Sequence, residues 1–333
     1  MTNDPNHSPS IGVLLVNLGT PQAPTSKAVR PYLRQFLSDP RVIEWPRWFW
    51  LPLLEAIILR VRPRRSARLY EEIWTAEGSP LLTISQHIAE GLQESFAGCG
   101  ETPVKVVLAM RYGQPSITAA LEELRRANAQ RILVLPLYPQ YSATTVGTIF
   151  DDLFATLRQW RWVPEIRTVN HYHTHPLYIE GIAGSIRRHW SENGREGRLL
   201  LSFHGIPLSY SQKGDPYREQ CQETARLIAD ALQLDEAELH YSFQSRFGPQ
   251  EWLQPYTDAT LVSWAQEGAT RVDTICPGFA TDCLETLQEM GMENRDLFLE
   301  AGGEHYSYIP ALNDSPAHIR LLADIVQQNC LGW

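Results

Sequence analysis

Cysteine is scarce in this chain: Cys99, Cys221, Cys276, Cys283 and Cys330 are the only five among 333 residues, and no Cys-x-x-Cys pair occurs. That excludes a disulfide framework, a zinc ribbon and a thioredoxin-like motif, and it suits reduced structural thiols in a cytosolic protein. Basic charge is also short. The formal net charge of −9 leaves no broad basic face, so no nucleic-acid partner is expected. Long apolar runs are missing as well: the most apolar stretch, Trp48 to Val61, is interrupted by Pro52 and Glu55 and is too short to span a bilayer. The opening MTNDPNHSPS is polar and lacks the regions of a signal peptide. The expectation is a cytoplasmic protein. At 43% hydrophobic and 20% charged residues it has enough apolar side chains for a sizeable core.

Familiar nucleotide and hydrolase signatures are absent too. LVNLGTPQAP offers one glycine followed by prolines where a dinucleotide fingerprint would need three glycines, and neither a P-loop nor a GxSxG elbow is present.

What is present is an alternation. Short Val/Ile/Leu-rich runs at 11–18, 104–110, 131–138, 165–169, 198–204, 238–244 and 271–276 predict strands. Amphipathic stretches at 117–129, 215–234, 282–290 and 315–329 predict helices between and after them. Strands this apolar, joined by helical crossovers, imply parallel sheets covered on both faces, so the fold class is α/β. A seam near 160–170 suggests two similar doubly wound halves. The first is expected over 10–165 with 312–330 returning to it, and the second over 166–311. The last helix carries Ser315 as its cap and Pro316 at its first position.

In open parallel sheets ligands bind beyond the carboxyl ends of the strands, so the residues at those ends carry the functional signal. LLLSFHGIPLSY stops a buried strand on His204 and follows it with Gly205. The imidazole titrates near neutrality and can take a proton or ligate a metal, but on its own it is equally a packed strand-end histidine. The glycine reads as clearing room for a ligand just past the strand. CPGFATDCLETLQEM places Asp282, Glu285 and Glu289 at the start of a helix; the two glutamates, four apart, share a face. They serve a relay or cation path, or a solvated surface. An imidazole with a carboxylate suits a divalent iron or zinc ion, held loosely by only two protein ligands. Arg111 and Tyr112 offer a planar fork and an aromatic face. YPQYSATT (138–145) suits the wall of a flat ligand or a simple turn. The histidines of HYHTH (171–175) read as surface residues. Residues 44–65 concentrate Trp45, Trp48, Trp50 and Phe49 ahead of a basic tail, a pattern that suits a membrane surface, a large apolar ligand or an ordinary core cover.

In order, GVLLVNLGTP (12–21), EIWTAEGSPL (72–81), MRYGQPSI (110–117), LPLYPQYSATT (135–145), LSFHGIP (201–207), KGDPYREQ (213–220), YSFQSRFG (241–248) and CPGFATDCLETL (276–287) resemble the ferrochelatases, most closely the proteobacterial, protoporphyrin-using members. The resemblance covers nearly the whole chain. It implies two Rossmann-like, chelatase-type domains and a lyase that inserts ferrous iron into protoporphyrin IX to form protohaem in haem biosynthesis. It implies His204 and Glu285 as the catalytic, metal-site pair. It further implies Leu18, Tyr70, Ser79, Arg111, Tyr112, Tyr138 and Ser142 around the porphyrin, with Asp282 and Glu289 as a proton relay. Residues 44–65 correspond to a hydrophobic lip and leave a membrane-surface contact open. Ferrous iron and the porphyrin are substrates, and no permanent cofactor is expected.

Three positions depart from other members. Leu18 stands where some carry a tyrosine or methionine facing the metal, and a leucine cannot ligate. Cys283 replaces the histidine of animal members. Cys330 is alone in a tail that would need four suitably placed cysteines for an iron–sulfur cluster, so no cluster is expected. Two rival readings remain at this point: insertion of another ion such as cobalt into a related tetrapyrrole, and a porphyrin or haem carrier without turnover.

Overall fold

The computed structural model describes residues 10–98 and 103–333; Cys99 lies outside them. The described residues divide into two compact units, one running up to Leu137 and including Ala143–Asn170 and Ile319–Trp333, the other of Tyr138–Ser142 and His171–His318.

The first unit is built on four parallel strands, β1 (Ser10–Gly19), β2 (Val104–Tyr112), β3 (Ala129–Pro136) and β4 (Glu165–Thr168), in the order β2-β1-β3-β4. β1 is central, and Val13 through Val16 are fully buried. Each such Leu or Val contributes about 1.5–3 kcal/mol relative to exposure, which is why the run is apolar without alternation. β4 pairs with β3 and completes this sheet, so the first unit continues to Asn170, past the expected boundary at 165. Gly19 at the end of β1 has φ +109, and a Cβ there would lie 1.8 Å from the Tyr112 carbonyl oxygen. Only glycine lets the two strand ends come this close.

The second unit repeats the plan with β5 (Arg198–His204), β6 (Tyr241–Gln244), β7 (Arg271–Ile275) and β8 (His305–Ile309), all parallel, in the order β6-β5-β7-β8. β8 was not among the predicted strands. It is an edge strand of mostly half-buried residues following Gly302 and Gly303, so its pattern is weak.

Helices cover the sheets where the caps predict. Ser116 accepts the Ala119 N–H at 3.2 Å to start the helix Ile117–Arg126, whose last turn carries Arg125 and Arg126 against the negative end of its dipole. Ser315 accepts the His318 N–H at 3.4 Å and Pro316 opens the last helix, Pro316–Asn329. That helix packs on the first unit: Gly91 admits Ile319 so closely that a Cβ would sit 3.2 Å from its Cδ1, and Arg167 donates to the Asn329 carbonyl at 2.6 Å.

Candidate active site

In each sheet the first strand has its successor on one side and the third strand on the other, which makes the gap between first and third the topological switch point. Ligands of doubly wound sheets bind there, beyond the strand ends. In the second unit this gap lies between β5, which ends on His204, and β7, which leads through Pro277 and Gly278 into the acidic helix.

His204 is half-buried, and its Nδ1–H donates to the Gly205 carbonyl at 2.6 Å. A carbonyl can only accept, so Nδ1 carries a proton, and it is Nε2 that bears the lone pair whenever the ring is neutral. This is the usual preparation of a metal-binding or basic imidazole. The Phe279 ring lies 6.4 Å from it.

Gly205 serves a different purpose from the one expected. A Cβ there would lie 2.9 Å from the Gln244 carbonyl oxygen and 3.2 Å from the Trp252 ring. The glycine therefore admits β6 and Trp252, not a ligand, and its N–H bonds the same carbonyl at 2.7 Å.

The acidic segment is wider than an α-helix: Glu285–Glu293 is a π-helix, a form frequent at functional sites. Its departure from α bonding is relieved by side chains. Gln244 donates to the Glu285 carbonyl at 3.0 Å, Asn294 Nδ2 to that of Glu289 at 2.9 Å, and the Tyr306 hydroxyl to that of Met290 at 2.8 Å. Glu289 accepts from Ser245 N at 2.8 Å, from the Ser245 hydroxyl, and from Gln244 Nε2 at 3.4 Å. Burial raises its carboxyl above the usual range. The Ser245 bonds and the His204 charge pull it back down, while Glu285 pushes it further up. His204, Glu285 and Glu289 therefore share one electrostatic neighbourhood, although His204 and Glu285 lie far apart in sequence.

Asp282, four per cent exposed, is filled by donors: Thr286 at 2.9 Å, Tyr308 at 2.7 Å and Asn313 Nδ2 at 2.7 Å. It anchors the entrance of the π-helix. Cys283 beside it is buried, which raises its thiol well above the ordinary value. Among the described residues no group of three or more His, Cys, Asp or Glu could hold a metal ion.

The other expected contacts fall as follows. Leu18 is half-buried at the end of β1. Tyr70 is buried edge-on to Tyr32 and Trp74, and Ser79 is buried with its hydroxyl 2.8 Å from that of Thr20. Arg111 pairs with Asp39 at 2.6 Å and lies over the Tyr112 ring at 4.5 Å, while Tyr112, one per cent exposed, donates its hydroxyl to the same Asp39 at 3.0 Å. Burial and Asp39 together raise the Tyr112 phenol. Arg111 and Asp39 also border a polar cavity of about 440 Å³ with Asp152, Ser116 and Thr118 on its walls. In the second unit Tyr138 is half-buried, and Ser142 is buried, donating to Asp215 at 2.9 Å.

Gln244, Ser245, Asp39 and Asp215 were not among the expected site residues. Ordinary polar residues at strand ends and in loops give no periodic signal; Gln244 closes a predicted strand, and it and Ser245 stand in the motif YSFQSRFG. HYHTH also differs from expectation. His173 is buried and pairs with Glu223 at 3.0 Å, and His175 caps the helix that starts at Pro176. Burial lowers the His173 imidazole.

Comparison with known proteins matches residues 10–330 to the family model described as Ferrochelatase. A ferrochelatase of Nitrosococcus oceani is 56% identical over 97% of this chain and 88% of its own length. One from Thioalkalivibrio sulfidiphilus is 55% identical over 98% and 89%. Among solved structures, SirB from Bacillus subtilis with Fe3+ superimposes with a TM-score of 0.55 at 14% identity, over 97% of this chain and 96% of that one. CbiX, the terminal enzyme for siroheme biosynthesis in denitrifying bacteria, gives 0.51 at 15%, over 95% and 98%. At such identities these two speak for the fold alone.

Proposed function

The chain belongs to the ferrochelatase family, and from that premise we propose that His204 and Glu285 receive the iron and the pyrrole protons in the family's reaction. The reaction inserts ferrous iron into protoporphyrin IX and releases two protons, a lyase step of haem biosynthesis. Iron and porphyrin are substrates, and the chemistry calls for no resident cofactor and no iron–sulfur cluster.

A free porphyrin is planar, with two N–H groups filling its centre. Metal enters when the ring bends, a nitrogen lone pair turns outward and the two protons depart. A protein that binds the bent ring more tightly than the flat one lowers this barrier. Leu18, Tyr70, Ser79, Arg111, Tyr112, Tyr138 and Ser142 are the proposed surroundings of the ring. The ion pair of Arg111 with Asp39 and the bond of Ser142 to Asp215 support rigid walls rather than mobile ones.

The observation that supports the reading is the Nδ1–Gly205 bond, which assigns the lone pair of the neutral His204 ring to Nε2, with Glu289 within electrostatic reach of both His204 and Glu285. That single lone pair takes a pyrrole proton or meets the arriving ion, one at a time. Glu285 supplies the second donor, a carboxylate oxygen. Glu289, its proton affinity raised by burial, accepts the second proton more readily at neutral pH than an ordinary glutamate. Asp282 contributes by holding the helix entrance, and passes a proton only by releasing one of its donors.

A cytoplasmic location with membrane-surface contact through 44–65 is part of the same proposal. Trp48 is 80% exposed, Val61 69% and Ile57 56%, in a segment rich in arginine, and such a face suits the boundary of an anionic bilayer. Among the described residues no helix is long and apolar enough to cross a membrane.

The test is anaerobic incubation with ferrous iron and protoporphyrin. Haem beyond one equivalent of protein supports the enzyme over a carrier, and parallel incubations with cobalt decide the preferred ion. His204→Ala is expected to abolish metallation while porphyrin still quenches protein fluorescence; near-normal turnover in that variant removes the assignment.

A further inference from the structure

Directly opposite His204 in the β5–β6 ladder stands Gln244. It is three per cent exposed and its amide is bonded at both ends. The oxygen accepts from the Ser202 hydroxyl at 2.7 Å and the Cys276 thiol at 3.4 Å, and the nitrogen donates to the Glu285 carbonyl at 3.0 Å and the Glu289 carboxylate at 3.4 Å. The opposite orientation of the amide is closed. Flipped, its oxygen would face the Glu285 carbonyl, an acceptor with no proton to offer, and the 3.0 Å bond would be lost.

The next residue continues the hold. Ser245 has φ +67, a left-handed backbone that non-glycine residues seldom adopt. Turned this way, its N–H (at 2.8 Å) and its hydroxyl both donate to the carboxylate of Glu289. Strain of this kind persists where the surroundings over-determine it, and it clusters at functional sites.

We infer that Gln244 and Ser245 form a positioning clamp. They tie the strand beside His204 to the acidic π-helix and so set the spacing between the imidazole lone pair and the two carboxylates. The inference rests on the function proposed above and deepens it. Gln244 is buried against the helix and offers the macrocycle no surface, so the clamp governs how the ion is received, not how the ring binds. Neither residue is catalytic; both act through Glu285 and Glu289.

The experiment varies ferrous iron and protoporphyrin separately under anaerobic conditions and measures porphyrin binding by fluorescence quenching. Loss of an outer-shell partner costs metal affinity or activity by about 10- to 100-fold. Gln244→Leu is therefore expected to raise the KM for iron by that factor, while the KM and quenching constant for porphyrin stay within about twofold. Ser245→Ala removes only the hydroxyl and is expected to raise the iron KM by about tenfold. Its side is half-buried, so it carries the test if Gln244→Leu does not fold. An iron KM unchanged in Ser245→Ala, or iron and porphyrin constants rising together, overturns the clamp. Failure of the unmodified protein to form haem overturns the function itself, a result distinct from either.

Discussion

Acid should loosen this protein through one buried histidine. His318 lies near the start of the last helix, one per cent exposed, with its Nδ1–H donating to the Asn313 carbonyl at 2.5 Å. The side chain of the same Asn313 donates to Asp282 and accepts its N–H at 2.8 Å, so this contact lies one step from the entrance of the acidic helix. Burial lowers the His318 pKa from 6.5 to about 4, against upward pulls from the bond to Asn313 and the charge of Asp314. The folded state therefore binds fewer protons than the unfolded chain across this interval. The stability contributed by the neutral ring is complete above 6.5 and is lost as the pH falls towards 4. Between pH 7 and pH 5 the linkage amounts to about 2 kcal/mol. His318→Leu gives up the bond to Asn313, a cost independent of pH, and abolishes the titration. Urea unfolding of both proteins at the two pH values should show the unmodified chain losing about 2 kcal/mol more than the variant. Equal losses, or an imidazole signal titrating at its ordinary value, would refute the reasoning.

Two further outcomes are expected. Gly205→Ala must displace the Gln244 carbonyl or the Trp252 ring; overpacking of this kind costs about 1–3 kcal/mol and should lower the melting temperature by several degrees. An unchanged melting temperature would mean that the approach of β6 to Gly205 is looser than described. Joint replacement of Trp48, Ile57 and Val61 by serine should weaken sedimentation with anionic vesicles by well over tenfold, since each apolar side chain buried in the interface contributes about 1.5 kcal/mol or more. Undiminished sedimentation would remove the membrane contact.

Much of the fold was legible because its signals are local. Continuous Val/Ile/Leu runs such as Val13–Val16 mark strands buried on both faces, and Ser315-Pro316 marks a helix start, without knowledge of anything distant. β8 escaped because an edge strand need not be continuously apolar. The acidic segment reads as a helix from its spacing, but its π form depends on Gln244, Asn294 and Tyr306 receiving carbonyls that α bonding would have used.

The site divides along the same line. Sequence by itself determined which groups stand at the strand ends: an imidazole after one apolar run, carboxylates after another, and an ordered set of motifs specific enough to name a family. Only the tertiary structure decided which nitrogen of His204 is bare, why Gly205 must lack a side chain, and what holds Glu289 in place. Those depend on bonds between residues such as Gln244 and Glu285, 41 positions apart. No local propensity encodes such a contact; it exists only once the strands have paired and the helix has packed beside them.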